Sequence, residues 1–249
     1  MIKLENVCKT FNKGLSTETT ALQSASLKIT AAEFVVVVGS NGSGKSTLLN
    51  CIAGNNIPDT GNIYIENNEV SQWPEYKRSV YISRIFQNPS LGTAPDLNIL
   101  ENFRLASLRT RSKGLRIGTN KAFENSVKEK ISFLKMGLEN SITKLMGSLS
   151  GGQRQALTLV MGIMDDCKIM LLDEPTAALD PRSSVLVMQK ANEIIATHKL
   201  TALLETHNLK DALQYGSRLL MMKEGVITKD YSGVEKQNLK LEELAMLFD

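Results

Sequence analysis

Long apolar runs are missing from this chain. No stretch approaches the roughly 20 consecutive apolar residues that span a bilayer. Gln155 to Met164 is mostly apolar, but it is short and lies next to polar sequence. The start, Met1-Ile2-Lys3-Leu4-Glu5-Asn6, lacks the basic and then apolar layout of a secretion signal. An excess of one charge is missing too. The net charge of +3 over 249 residues leaves no global nucleic-acid footprint. Cysteine is scarce: Cys8, Cys51 and Cys167 are scattered, odd in number and without metal spacing. That excludes a disulfide framework and reads as reduced cytosolic thiols. The hydrophobic content of 42% is ordinary for a soluble globular protein, on a chain long enough for one large domain or two smaller ones.

Against that background one stretch stands out. Gly39-Ser40-Asn41-Gly42-Ser43-Gly44-Lys45-Ser46-Thr47 is a P-loop, with Gly39, Gly44, Lys45 and Ser46 at its fixed points. Glycine lets the backbone wrap closely around an anion and present its N–H groups as a nest for phosphate oxygens. Lys45 is expected to reach the β- and γ-phosphates, and the Ser46 hydroxyl to join the shell of a Mg²⁺ ion. Context supports the motif. Phe34-Val35-Val36-Val37-Val38 precedes it as a short β-branched run, the pattern of a strand buried on both faces. Thr47 to Ala53 follows with helical patterning, stopped by Gly54.

The rest of the chain falls into segments. Residues 1 to about 30 alternate apolar and polar around a polar turn, Asn12 to Thr20, which predicts antiparallel strands. Phe11, where the first strand ends, is either a half-buried core aromatic or a platform for a base. Asn62 to Glu66 is an alternating strand, and Ile85-Phe86-Gln87-Asn88-Pro89 ends another. Gln87 carries an amide able to ligate a metal or orient a water, or is simply solvated. From about 89 to 147 helix-like spacing replaces the β-branched strands, over Asn98 to Leu108 and Lys121 to Met136. Arg104, Arg109, Arg111, Lys113, Arg116 and Lys121 form a basic segment there. It is either a solvated surface or a contact for an acidic partner or anionic lipid heads.

Leu149-Ser150-Gly151-Gly152-Gln153 opens a helical run, Ala156 to Met164, and offers an N-cap or an anion site. Lys168 to Leu172 is a buried strand ending in Asp173-Glu174. This is the Walker B pattern, with Asp173 holding Mg²⁺ directly or through water. Glu174 is placed to polarise an attacking water; the plain alternative is an acidic pair favoured by a helix dipole. Ala178-Leu179-Asp180-Pro181 opens a helix over about Ser183 to Thr197, and Thr201 to Glu205 is a strand with Thr206-His207 at its end. A histidine there is placed to touch the γ-phosphate. Leu219 to Ile227 predicts a hairpin, and Leu241, Leu244, Ala245 and Phe248 an amphipathic closing helix.

Taken in order, these motifs resemble the nucleotide-binding subunit of ABC transporters over the whole chain. The resemblance implies an α/β P-loop NTPase of ABC ATPase type. Such a domain has a RecA-like, mainly parallel core with an antiparallel β subdomain (residues 1–88 and 148–230), an inserted α-helical subdomain (89–147) and a helical tail (231–249). It implies ATP and Mg²⁺ as ligands, with Ser46, Gln87 and Asp173 around the metal. Phe11 would stack on adenine, Gln87 would contact Mg²⁺ and the attacking water, Glu174 would be the general base, and His207 would clamp the γ-phosphate. Ser150 to Gln153 and Asp180 would act on nucleotide held by a second protomer, so a homodimer is expected. A permease would dock on 89–147 at the cytoplasmic face of the membrane, with a solute-binding protein as an indirect partner and no nucleic acid involved. The stretches Phe86 to Pro89, Gly92-Thr93-Ala94-Pro95 and Arg109 to Arg116, and the ending Asp230 to Phe248, resemble an importer group linked to tryptophan or tyrosine uptake. An exporter motor, or a soluble ATPase of an assembly system, shares the same cassette. The short insert argues against a DNA-repair head. Two departures are visible. Ala32 stands where the family usually has Gly, and Asp165-Asp166-Cys167 replaces a Pro-containing approach to Walker B.

Overall fold

The computed structural model describes residues 1–109 and 118–247. The chain opens with an antiparallel pair, β1 (Ile2–Phe11) and β2 (Thr19–Ile29), then β3 (Phe34–Val38), α1 (Lys45–Ala53), β4 (Thr60–Ile65), β5 (Asn68–Glu69), α2 (Glu75–Arg78) and β6 (Ile82–Ile85). Helices α3 (Ile99–Ala106) and α4 (Lys121–Ser132) follow, with short 3₁₀ turns around them, then α5 (Gly151–Gly162) and β7 (Ile169–Asp173). The last part holds α6 (Pro181–Thr197), β8 (Thr201–Glu205), α7 (Leu209–Gln214), β9 (Arg218–Lys223), β10 (Val226–Ser232), α8 (Gly233–Asn238) and α9 (Leu241–Met246).

Two sheets result. The larger runs β10-β9-β3-β8-β7-β6, parallel from β9 to β6 with β10 antiparallel at the edge. The smaller runs β2-β1-β4-β5 and is antiparallel. This is the mainly parallel core with an antiparallel β layer that the motif order implies. The reason lies in β3. Its five residues are all buried, and their side chains alternate between two hydrophobic clusters. Phe34, Val36 and Val38 meet α5, α6 and the α3–α4 region; Val35 and Val37 meet α1 and the small sheet. A strand covered on both faces needs apolar residues at every position, and the valine run supplies them.

Some boundaries differ from the sequence expectation. The strand expected to end at Ile85–Pro89 stops at Ile85, because Asn88 caps a turn by accepting from Ser90 N at 2.9 Å and Pro89 has no N–H to give. The helix expected from Lys121 to Met136 ends at Ser132. The closing helix expected around Leu241 to Ala245 is α9, with Leu244 buried, and a second short helix, α8, precedes it; Phe248 lies outside the described residues. The ammonium of Lys236 in α8 donates to the carbonyls of Tyr215, at the C-terminal end of α7, and of Gly216, which ties the tail to the core.

Arg78 is the largest fully buried side chain. It has no carboxylate partner among its hydrogen bonds. Its guanidinium donates to the carbonyls of Cys51 (2.6 Å), Ile52 (3.1 Å), Ser71 (3.0 Å) and Trp73 (2.9 Å). Two of those carbonyls sit in the last turn of α1, where helix geometry leaves acceptors unsatisfied. Burial pushes the guanidinium down to about 10. Arg78 thus fixes the far end of the helix whose near end is the P-loop.

Ala32, in the turn between β2 and β3, takes a left-handed conformation with φ of 59°. Its N–H donates to Thr201 Oγ1 at 3.0 Å, which anchors the turn to β8. An L-residue there carries a steric cost of about 1–2 kcal/mol that glycine avoids, offset in part by glycine's larger unfolded-state entropy. Ala32→Gly should therefore stabilise the fold by roughly 0.5–1 kcal/mol. Urea denaturation reads this as a higher midpoint at unchanged slope; a lower midpoint would show that the turn does not hold alanine in that conformation.

Candidate active site

β3, β7 and β8 are neighbours and parallel, so their C-terminal ends share one edge of the sheet. In an open parallel sheet this is the edge where ligands bind. The P-loop leaves β3, Asp173 and Glu174 end β7, and Glu205, Thr206 and His207 end β8. Pairing places Asp173 directly opposite Glu205, and Val37 opposite Glu205 on the other side.

The loop itself is tightly held. A Cβ on Gly39 would lie 2.3 Å from the Met222 carbonyl and 2.5 Å from Ser43 Oγ; one on Gly44 would lie 2.3 Å from the Ala21 carbonyl. Gly44, at φ of 99°, is also left-handed, and it starts α1 without a side-chain cap. The first N–H groups of α1 therefore have no partner within the helix. An anion at this end would meet them together with the positive end of the helix. Lys45 is 4% exposed, and its ammonium donates to the carbonyls of Gly39 (3.0 Å) and Ser40 (3.1 Å), folded back across the loop. It lies 3.9 Å from Glu205 Oε1.

Ser46 Oγ donates to Glu205 Oε1 at 2.7 Å. Burial pushes the Glu205 carboxyl up to about 7; Asp173 and Glu174 add to the rise, while the Ser46 hydroxyl and Lys45 oppose it. Asp173 Oδ2 accepts from Arg84 Nη2 at 2.6 Å, and the other arm of Arg84 reaches Asn55 Oδ1 at 2.8 Å. Glu174 has φ of 41°, a strained backbone for a residue with a Cβ, held by its N–H donating to the Glu205 carbonyl at 3.1 Å. Its Oε1 lies 3.2 Å from His207 Nδ1. Ser46, Asp173, Glu174 and Glu205 offer only oxygen donors. Among the described residues no three His, Cys, Asp or Glu side chains are arranged to hold a metal by themselves; the Ser46 and Asp173 oxygens suit a hard divalent cation that takes its other ligands from phosphate and water.

The structure thus brings Lys45, Ser46, Asp173, Glu174 and His207 to one edge. Gln87 is exposed in the bend just after β6, whose Ile85 pairs with Leu172 of β7. Phe11 ends β1, half-buried, with the Lys9 ammonium 5.5 Å from its ring centroid; its partner strand β2 borders the P-loop through Ala21. Ser150, Gly151, Gly152 and Gln153 stand apart from this group. They begin α5, which packs on α6, α3 and α4, whereas α1 packs on β7, β8 and β2. Within the chain Ser150 and Gln153 form a reciprocal capping box, each side chain bound to the other's N–H at 3.2 Å. Gly152 fits closely on α6, since a Cβ there would lie 2.4 Å from Ser183 Oγ. Asp180 caps α6, accepting from the N–H groups of Arg182 and Ser183 at 3.1 Å each.

Four residues that sequence reasoning passed over shape this site. Arg84 and Glu205 hold the metal-site candidates. Gln155 Nε2 bridges the carbonyls of Phe86 and Pro175, both at 2.9 Å, and so joins the approach to Gln87 to the end of Walker B. Arg154 links α5 to Ser90 Oγ at 2.8 Å. Only Glu205 left a trace in the sequence, as a carboxylate ending an otherwise apolar strand. Of the basic segment, Arg111, Lys113 and Arg116 lie outside the described residues. Arg109 donates inward to the carbonyls of Gly162 (3.2 Å) and Ile82 (3.4 Å). Arg104 lies over the Phe123 ring, and Lys121 pairs with Glu124 at 3.1 Å.

Residues 22–177 match the family model described as ABC transporter. The tyrosine transport ATP-binding protein of Clostridioides difficile (strain R20291) is 38% identical over all of this chain and 99% of its own length. A phosphonates import ATP-binding protein of Lactococcus lactis subsp. lactis (strain IL1403) is 32% identical over 92% of each chain. Among solved structures, a dimeric ATP-binding cassette in a post-hydrolysis state, bound to ADP and Pi, superposes with a TM-score of 0.80 at 28% identity, covering 93% of this chain and 98% of its own. The P-loop, the carboxylates facing it, the fold and these likenesses agree: the chain belongs to the ABC transporter family, as an ATP-binding and ATP-hydrolysing domain.

Proposed function

We propose that the chain is the ATP-driven motor of a bacterial-type importer of small solutes such as amino acids, working as a homodimer beneath a permease on the cytoplasmic face of the membrane. The full-length likeness to a tyrosine transport ATP-binding protein supports the amino-acid class, and the likeness to a phosphonates import ATP-binding protein supports import. Among the described residues no helix is long and apolar enough to cross a membrane, so attachment falls to the permease. A solute-binding protein would deliver cargo on the far side.

The contact that carries the catalytic reading is Glu174 Oε1 to His207 Nδ1, 3.2 Å apart at the ends of adjacent strands. A carboxylate so placed accepts the proton of an attacking water, while the imidazole orients it and faces the γ-phosphate. Lys45 turns from the loop carbonyls to the β- and γ-phosphates, and the loop N–H groups hold the same oxygens. Ser46 and Asp173, with Gln87 from the neighbouring bend, would hold Mg²⁺, which when bound neutralises phosphate charge and polarises the terminal phosphorus–oxygen bonds. Phe11 would stack on adenine. Ser150, Gly151, Gly152, Gln153 and Asp180 would act on the nucleotide held by a second copy: Ser150 to Gln153 open α5, whose first N–H groups can face an anion, and Asp180 opens α6.

The helical insert at 89–147 is the proposed permease dock, between core segments 1–88 and 148–230, with 231–249 as a tail. A groove of about 320 Å³ opens there, lined by Leu91, Ala94, Asn102, Leu105, Ala106 and Met161 among others. Leu91 and Leu105 are 69% and 52% exposed, which is costly for apolar side chains unless a partner covers them.

Glu174→Gln should retain ATP, trap the ATP-bound dimer on size-exclusion chromatography, and lower steady-state phosphate release by about 10²–10⁴-fold. Unchanged hydrolysis would remove the general-base role. Replacing Leu91 and Leu105 together by Asp should leave ATP hydrolysis by the isolated subunit intact and abolish its salt-resistant co-purification with its permease. Persistence of that complex would move the dock elsewhere.

A further inference from the structure

Glu205 has no assigned part in the reaction, yet its setting requires an explanation. The four residues before it, Thr201 to Leu204, are all buried and mostly apolar, as a parallel central strand demands. A fifth apolar residue would continue the pattern. Instead a carboxylate stands there, 2% exposed, opposite Asp173 and one residue before Thr206-His207. A buried carboxylate costs free energy unless both oxygens are satisfied. Only one is: Oε1 accepts from Ser46, and Oε2 is buried with no hydrogen-bond partner among the described residues. Lys45 does not account for it. At 3.9 Å its ammonium is beyond hydrogen-bond reach and is committed to two loop carbonyls.

The Ser46 hydroxyl has one proton and two lone pairs. With the proton given to Glu205, the lone pairs are left for a cation and the side chain is fixed in one rotamer. This is the outer-shell arrangement that orients a ligand and raises its basicity. We infer that Glu205 is a positioning residue for the divalent-cation site: through the Ser46 hydrogen bond it sets the Ser46 oxygen toward the metal, so that metal affinity, rather than nucleotide affinity, depends on it. The inference rests on the proposed cation site at Ser46 and Asp173, and it goes beyond that reading by adding an acidic residue from β8.

The test is Mn²⁺ binding, followed by electron paramagnetic resonance on the full chain with saturating ADP, beside ADP affinity measured in EDTA. Glu205→Val should weaken Mn²⁺ about tenfold, as outer-shell losses do, and leave metal-free ADP affinity unchanged or tighter. Glu205→Gln keeps an acceptor for Ser46 and should stay within about threefold of the wild type. Should the valine variant not fold, Glu205→Thr, too short to reach Ser46, should reproduce its loss. Unchanged Mn²⁺ affinity in the valine or threonine variant overturns the inference. So does a glutamine variant as weak as valine, or an equal loss of ADP affinity without metal, which would mark a merely structural role. Failure of the wild type to bind Mn²⁺ with ADP would instead overturn the cation site itself.

Discussion

Everything chemical in this molecule depends on three parallel strands ending together. β3, β8 and β7 are locked in register by burial on both faces, so that a one-residue slip would turn Val36 and Val38 out of one core and into the other. That register, and no local feature of the loop, sets Glu205 opposite Asp173 and brings the P-loop beside both. The glycines then follow from crowding. Gly39 and Gly44 are pressed against the carbonyls of Met222 and Ala21, which belong to β9 and β2. The loop is thus clamped between the large sheet and the small one, and its shape is inherited from their packing. Arg78 completes the clamp from behind by holding the last turn of α1.

The same convergence creates an electrostatic problem. Asp173, Glu174 and Glu205 gather at one edge, and among the described residues Lys45 and Arg84 are the lysine and arginine within ion-pair distance of them. Arg84 takes Asp173, and Lys45 is turned toward the loop carbonyls. The edge therefore holds more negative charge than its own cations neutralise at contact distance. A divalent cation arriving with a polyphosphate would relieve that excess. In this light the strained backbone of Glu174 is informative. A left-handed glutamate persists only where its surroundings over-determine it, and here the Glu205 carbonyl and His207 do so. The strain keeps the carboxylate at the strand end.

The legible part of the structure was the part encoded locally. The Phe34–Val38 run announced a two-sided strand, Gly39–Thr47 its loop, and the apolar run into Asp173 and Glu174 a second strand of the same sheet. Local pattern was blind to contacts over long separations. Arg84 lies in a segment of mixed composition, and its meaning comes only from β6 pairing with β7, 89 residues away from Asp173. Gln155 reads as one polar position in a helix until Phe86 and Pro175 converge on it. The apolar pattern runs past the end of β6 through Phe86, whereas the Asn88 cap and Pro89 decide where pairing stops. Glu205 was the exception: its anomaly was visible, but its partner was not.

Two interpretations that competed in the sequence turn out to be compatible. Ser150 with Gln153, and Asp180, are helix caps in the isolated chain, the plain reading of such residues. A cap consumes the side chain's acceptor but does not quench the helix end. In α5 the N3 amide is satisfied by Ser150, which leaves the N–H groups of Gly151 and Gly152 at a positive helix terminus, and the Gly-Gly pair puts no side chain in front of them. The capping box fixes the direction in which that terminus faces, and the close fit of Gly152 on Ser183 fixes it relative to α6. An anion brought by a second copy would then meet preorganised donors. Under the proposed reading, the hydrogen bonds that stabilise the start of α5 would also hold in place the donors that meet a phosphate.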